Sequence, residues 1–223
     1  MTQPKTSATG ELRCKAFLFD LDGVLVDSRA VVERTWRRWA QRHHVDPDTL
    51  LRIAHGRRTK DTLEVAAPHL ALDEEVAWLD DTELQDVDGL KVVPGADHLL
   101  SILPPGRWAI VTSCTRALAK LRLESVGLPV PSVLVVSEEV KHGKPAPDGY
   151  QLAAARLGYN PEECLVVEDA PAGVTAGRSA GARVLALTTT HPARDLIGAE
   201  AMIPDFGTIE VRAENDAFIV SVQ

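Results

Sequence analysis

Cysteine is scarce in this chain: three in 223 residues, Cys14, Cys114 and Cys164, widely spaced and odd in number. That count excludes a disulfide framework, and the spacing offers no metal-binding pair. A reducing, cytoplasmic setting is the expectation. No apolar run approaches the length that crosses a bilayer. The opening MTQPKTSATGEL is polar and lacks the apolar stretch of a signal peptide. Positive charge is in deficit, with 24 Lys and Arg against 32 Asp and Glu, a net of -8. Such a surface argues against nucleic acid and against membrane as partners. It leaves room for a small anionic metabolite, because a site needs only local positive charge or a metal.

What is present is ordinary in bulk and informative in pattern. Hydrophobic residues make up 45% and charged residues 25%, enough for one large core plus a modest second unit. Five short segments are almost continuously apolar: KAFLF (15–19), WAIVT (108–112), SVLVV (132–136), CLVVE (164–168) and ARVLAL (182–187). Strands buried on both faces of a parallel sheet read this way. Helical stretches separate them, with Thr115 placed to cap one, Pro147 to open another, and Pro171 to open a third that ends before Gly181. The alternation breaks at residues 28–93, which contain no comparable strand. Ser28 is placed to cap a helix carrying Val32, Trp36, Trp39 and His43, and three more helices are expected at 47–53, 59–66 and 73–85. Trp36 and Trp39 are expected to pack inside this unit, and His43 and His44 to lie at its surface. The fold class expected is α/β: a doubly wound, Rossmann-like parallel sheet core (1–27 and 94–223) with an inserted four-helix cap (28–93). A hairpin around 214–216 is expected near the end of the sequence.

Polar residues gather where four of the apolar segments end. Asp20-Leu21-Asp22-Gly23 follows the first, and two carboxylates two residues apart share one side of an extended chain, where a hard cation would hold them together. An Asp-x-Asp-Gly run is also a common turn. Thr112-Ser113-Cys114-Thr115 follows the second and lies at a helix start, a seat for phosphate or simply a helix cap. Lys144, between Gly143 and Pro145, precedes the next helix, where a fixed ammonium would neutralise phosphate oxygens. Lys141 reads as a solvated surface group. Glu168-Asp169 ends the fourth; acids there complement a helix dipole or complete a Mg²⁺ site. Each cluster has a plain structural reading by itself, but four at successive strand exits point to one site.

These stretches resemble the four motifs of the haloacid dehalogenase-like hydrolase superfamily: FLFDLDGVLVDS (17–28), AIVTS (109–113), GKPAPDGY (143–150) and VVEDAPAG (166–173). The helical insertion matches the small α-helical cap of one branch, which includes sugar- and polyol-phosphate phosphatases and β-phosphoglucomutase. The resemblance implies a Mg²⁺-dependent phosphatase acting on a small phosphorylated metabolite through an aspartyl-phosphate. Asp20 would be the nucleophile and Asp22 the acid and base. Asp20, the Asp22 carbonyl and Asp169 would hold Mg²⁺, with Glu168 a ligand directly or through water. Ser113 and Lys144 would hold the phosphoryl group. Cys114 stands where near relatives carry glycine or alanine; its N–H remains a phosphate donor, and its thiol has no paired base to make it a nucleophile. His55-Gly56-Arg57-Arg58-Thr59 resembles the substrate loop of sugar and polyol phosphatases, which would place His55, Arg57 and Arg58 on the substrate; a solvated basic turn is the other reading. A phosphomutase of the β-phosphoglucomutase type shares every core motif and stays open as an alternative. A dehalogenase needs neither Asp22 nor metal, and a non-catalytic binding module would not need the intact motifs.

Overall fold

The computed structural model describes residues 11–70 and 72–223, so the first ten residues of the expected core lie outside the described residues. The chain begins with β1 (Glu11–Cys14), β2 (Ala16–Phe19) and β3 (Val26–Asp27). Four helices follow: α1 (Arg29–His43), α2 (Pro47–Ala54), α3 (Thr59–Ala66) and α4 (Leu72–Leu84). Then come β4 (Lys91–Val92), α5 (Ala96–Ile102), β5 (Trp108–Val111), α6 (Arg116–Ser125), β6 (Leu134–Val135), α7 (Asp148–Leu157), β7 (Cys164–Glu168), α8 (Pro171–Ser179) and β8 (Arg183–Leu187). β9 (Ala201–Ile203), β10 (Ile209–Glu214) and β11 (Ala217–Val222) complete it. Among the described residues no helix is long and apolar enough to cross a membrane.

Six strands form one parallel sheet in the order β6-β5-β2-β7-β8-β9. β2 is fully buried because its alternating side chains enter different cores. Phe17 and Phe19 enter one with Trp108 and Phe206, while Ala16 and Leu18 enter the other with Tyr150 and Val166. The connections run to β5 and β6 on one side of β2 and to β8 and β9 on the other side of β7. A crevice at the carboxyl ends of the strands results, where the order reverses. β9 extends the sheet beyond the five strands expected from sequence.

The four inserted helices close around an apolar cluster of their own, including Trp36, Trp39, Leu50, Leu63 and Leu79. Asp46 caps α2, its carboxylate accepting from the Thr49 N–H at 2.9 Å, and Pro47 occupies the first turn. Ser28 stands at the start of α1, but its side chain makes no capping bond; it is buried against the crevice instead. His43 also departs from its expected surface position. Its side chain is 16% exposed, and its Nε2 lies 2.9 Å from Glu75 Oε2, which also accepts from Trp39 Nε1 at 2.8 Å. The chain enters and leaves this helical unit through β3 and β4, which pair antiparallel. The hairpin expected around 214–216 is present, with Asn215 at φ 56 in its turn, and β1 adds to it as a third antiparallel strand.

Candidate active site

Asp20 lies one residue beyond β2, and its N–H continues the ladder to the Val167 carbonyl at 2.9 Å. Alternation buries Leu21 below and turns Asp20 and Asp22 toward the crevice. Gly23 then adopts φ 76, and a Cβ there would collide with the Asp169 carboxylate. Only glycine lets the two acid-bearing loops approach this closely.

Lys144 ties the strand exits together. Its Nζ lies 2.8 Å from Asp20 Oδ1 and 2.6 Å from Glu168 Oε1, with all three side chains almost sealed from solvent. Burial alone would lower the Lys144 pKa, but Asp20 and Glu168 outweigh it and raise it. Burial pushes the Asp20 carboxyl up to about 7, Lys144 opposing and Glu168 adding to the rise. Glu168 is saturated: Oε1 accepts from Lys144 and from the Tyr150 hydroxyl, each at 2.6 Å, and Oε2 from the backbone N–H groups of Asp169 and Ala170. Asp169 differs. Thr190 donates to its Oδ2, while Oδ1 is buried with no partner. Burial, then Glu168 and Asp20, raise the Asp169 carboxyl well above the usual range. Asp20, Glu168 and Asp169 each bring a carboxylate oxygen within 4.8 Å of the others. An all-oxygen set with an orphaned buried oxygen and excess negative charge fits a hard divalent cation.

The residues expected to seat phosphate follow β5, and Thr112, Ser113 and Cys114 line the same crevice. Thr115 caps α6 by accepting from the Leu118 N–H. The Ser113 hydroxyl donates to the Gly56 carbonyl of the helical unit at 3.0 Å. The Cys114 N–H is donated to Thr112 Oγ1 at 3.1 Å, so Cys114 reaches the site through its thiol, 3.0 Å from Asp22 Oδ2. Burial raises that thiol well above its ordinary pKa, Arg122 opposing and Asp22 and Glu83 adding, which keeps it protonated.

Of the three residues expected on the substrate, His55 and Arg57 line the crevice above Asp20, together with Trp36 and Asp80. Burial lowers the His55 pKa, and the neighbouring His191 adds to this, its ring centroid 5.8 Å away. Arg58 is committed elsewhere. Its Nε and Nη2 donate to Asp61 at 2.7 Å, and its Nη1 reaches the Val140 carbonyl at 3.4 Å. Reading the sequence did not single out Arg122, Glu83, Asp80, Tyr150 or Thr190, all of which border or support the site. One signal marked Arg122: it falls on the face of α6 that buries Leu118, Ala119 and Leu123.

A sheet-end crevice with these acids, one buried lysine and a helical lid belongs to a known class of hydrolase. Residues 14–181 match the haloacid dehalogenase-like hydrolase family model, and the chain belongs to that family. Its relatives are phosphatases, and so is this chain. It is 45% identical over 181 residues to hexitol phosphatase A of Escherichia coli strain K12, covering 79% of this chain and 84% of that protein. It is 34% identical over 192 residues to glycerol-1-phosphate phosphohydrolase 2 of Saccharomyces cerevisiae, covering 80% and 76%. Its fold is shared with β-phosphoglucomutase from Clostridium difficile at a TM-score of 0.75 and 21% identity, covering 86% and 91%.

Proposed function

We propose that this phosphatase hydrolyses a sugar or polyol phosphate through an aspartyl-phosphate on Asp20. The observation that carries the reading is the buried Asp20–Lys144 pair, whose Asp20 forms part of the floor of a crevice roofed by helices. The relatives named for hexitol and glycerol-1-phosphate hydrolysis support the substrate class. Residues 1–27 and 94–223 act as the catalytic core and 28–93 as its cap. Asp20, Asp169 and the Asp22 carbonyl would hold Mg²⁺, and Glu168, its oxygens already paired, fixes Lys144 and the loop beside it. Bound there, the cation supplies positive charge against the phosphoryl oxygens.

Asp20 attacks phosphorus while the bond from phosphorus to the substrate oxygen breaks, and Asp22 delivers the proton that the leaving oxygen needs. Asp22 then takes a proton from the water that attacks the aspartyl-phosphate, freeing Asp20 and inorganic phosphate. Lys144 and Ser113 hold the phosphoryl oxygens, and the cap excludes bulk water during the first transfer. His55 and Arg57 contact substrate hydroxyls, Cys114 lies beside the acid, and Arg58 holds the loop that carries them. Phosphoryl transfer within a sugar phosphate requires room for a second phosphate under the cap. The Asp80 carboxylate on that wall disfavours it.

The test is phosphate release from sugar, polyol and short organic phosphates with Mg²⁺, with Asp20→Asn as the control. Hexitol or glycerol phosphates are expected to lead, and Asp20→Asn to be folded and inactive. Turnover retained in that variant would sink the reading.

A further inference from the structure

Arg122 is a charged side chain shut inside the protein, 3% exposed. A guanidinium is tolerated there only if its donors are matched by acceptors. Nη1 donates to Asp22 Oδ2 at 2.5 Å and to Cys114 Sγ at 2.9 Å, and Nη2 donates to Glu83 Oε2 at 2.6 Å. The two acids come from different parts of the molecule: Asp22 follows β2, and Glu83 lies on α4 of the helical insertion. The Cys114 thiol adds a second donor to the same Asp22 oxygen. Asp22 is therefore held by Oδ2 alone, while Oδ1 is buried with no partner in a residue that lines the crevice. Orphaned buried oxygens are costly and rare, and they recur where a reaction uses them.

We propose that Arg122 is a positioning residue that clamps Asp22 by one oxygen and leaves the other to meet the leaving oxygen of the substrate. With Oδ2 filled by the guanidinium and the thiol, Oδ1 is the oxygen from which a proton passes as the phosphorus–oxygen bond breaks and the bond to Asp20 forms. Glu83 completes the clamp from the cap side. The guanidinium has both of its carboxylate partners only with α4 over the site, which links closure to the aim of the acid. The clamp also gives a use to the Cys114 thiol, which touches both the guanidinium and the acid. This inference rests on the reading of Asp22 as proton donor.

The test compares kcat/KM for two monoesters, sorbitol 6-phosphate and p-nitrophenyl phosphate, in the Mg²⁺-loaded full-length protein. The first has an alkoxide that needs a proton to leave; the second has a leaving group that departs without one. Arg122→Met is expected to lose about 100-fold on sorbitol 6-phosphate and under about 10-fold on the nitrophenyl ester, the selectivity expected of a disabled general acid. Added to Asp22→Asn, it is expected to cost less than about threefold more, because both changes remove the same function. Equal losses on the two esters, or a double variant in which the losses multiply, would overturn the clamp while leaving the acid role of Asp22 standing. Normal turnover of sorbitol 6-phosphate by Asp22→Asn would overturn the acid role and the clamp with it. If Arg122→Met does not fold, Glu83→Gln carries the same comparison. A selective loss of about fivefold supports the clamp, and no loss or an equal loss on both esters overturns it.

Discussion

Lys144 neutralises Asp20 and Glu168 where all three side chains are almost sealed from solvent. Replacing it with Met leaves two buried carboxylates facing each other. The expected cost is about 3–5 kcal/mol in denaturant unfolding, together with loss of phosphate release. The two adjacent arginines of the cap loop should separate in kinetics. Arg57 is exposed on the crevice wall, so Arg57→Ala should raise KM with kcat little changed. Arg58 is bound to Asp61, so Arg58→Ala should instead lower the melting temperature. Asp80 gives a pH test. Burial, then Glu138 and Asp81, push its carboxyl up to about 6, Arg122 opposing. Between about pH 4 and that value the folded chain keeps a proton that the unfolded chain has released, so this group's contribution to stability falls as pH rises. Asp80→Asn should therefore melt higher than the parent near neutral pH and lose that advantage below about pH 4. The core acids and Lys144 were legible in the sequence because each follows or precedes an element whose ends are marked by buried runs, Gly or Pro. Arg122, Glu83 and Asp80 were not, because they lie inside helices. Helical spacing puts Arg122 on the same side as Leu118 and Val126, and α6 does bury it while leaving Leu121 half-exposed. Nothing local announces the distant Asp22 and Glu83 that hold the charge there.

The strand–helix junction beside the acid cluster is built with no spare volume. β7 delivers Glu168, and the first turn of α8 passes so close that a Cβ on Gly173 would collide with the Glu168 carboxyl. Gly173→Ala is expected to destabilise the protein by about 1–3 kcal/mol, the usual cost of overpacking. It should also reduce phosphate release by moving the carboxylate that holds Lys144, and thermal melts beside steady-state assays check both. Gly173 sits in a motif read for its acids, and nothing in its spacing announced a packing role. At this scale the sheet strands were readable wherever both faces are buried, and α3 was readable to its ends because Arg58-Thr59 and Ala66-Ala67-Pro68 punctuate it. β1 escaped because its four residues alternate and their partner, β11, lies some 200 residues away. β3 and β4 escaped because two residues carry no period.

Among the described residues three apolar clusters organise the fold, one on each face of the sheet and one wholly inside the helical insertion. The insertion hangs from one point, where Val26 pairs with Val92 and Asp27 with Lys91. Its two ends are thus fixed side by side by the core itself, and the length of chain between them matters little to folding, since loop-closure cost grows only slowly with length. A chimera carrying another family member's insertion between β3 and β4 is expected to fold and to keep its activity toward p-nitrophenyl phosphate. Its preference among polyol phosphates should follow the donor, provided that the donor supplies an acid where Glu83 stands. The ribbon is a seam, and on its far side residues are free to be exchanged while the acids and Lys144 on the near side keep their places. The toll on that freedom falls at the crossing contacts: a carboxylate that must still find Arg122, and a carbonyl that must still meet Ser113.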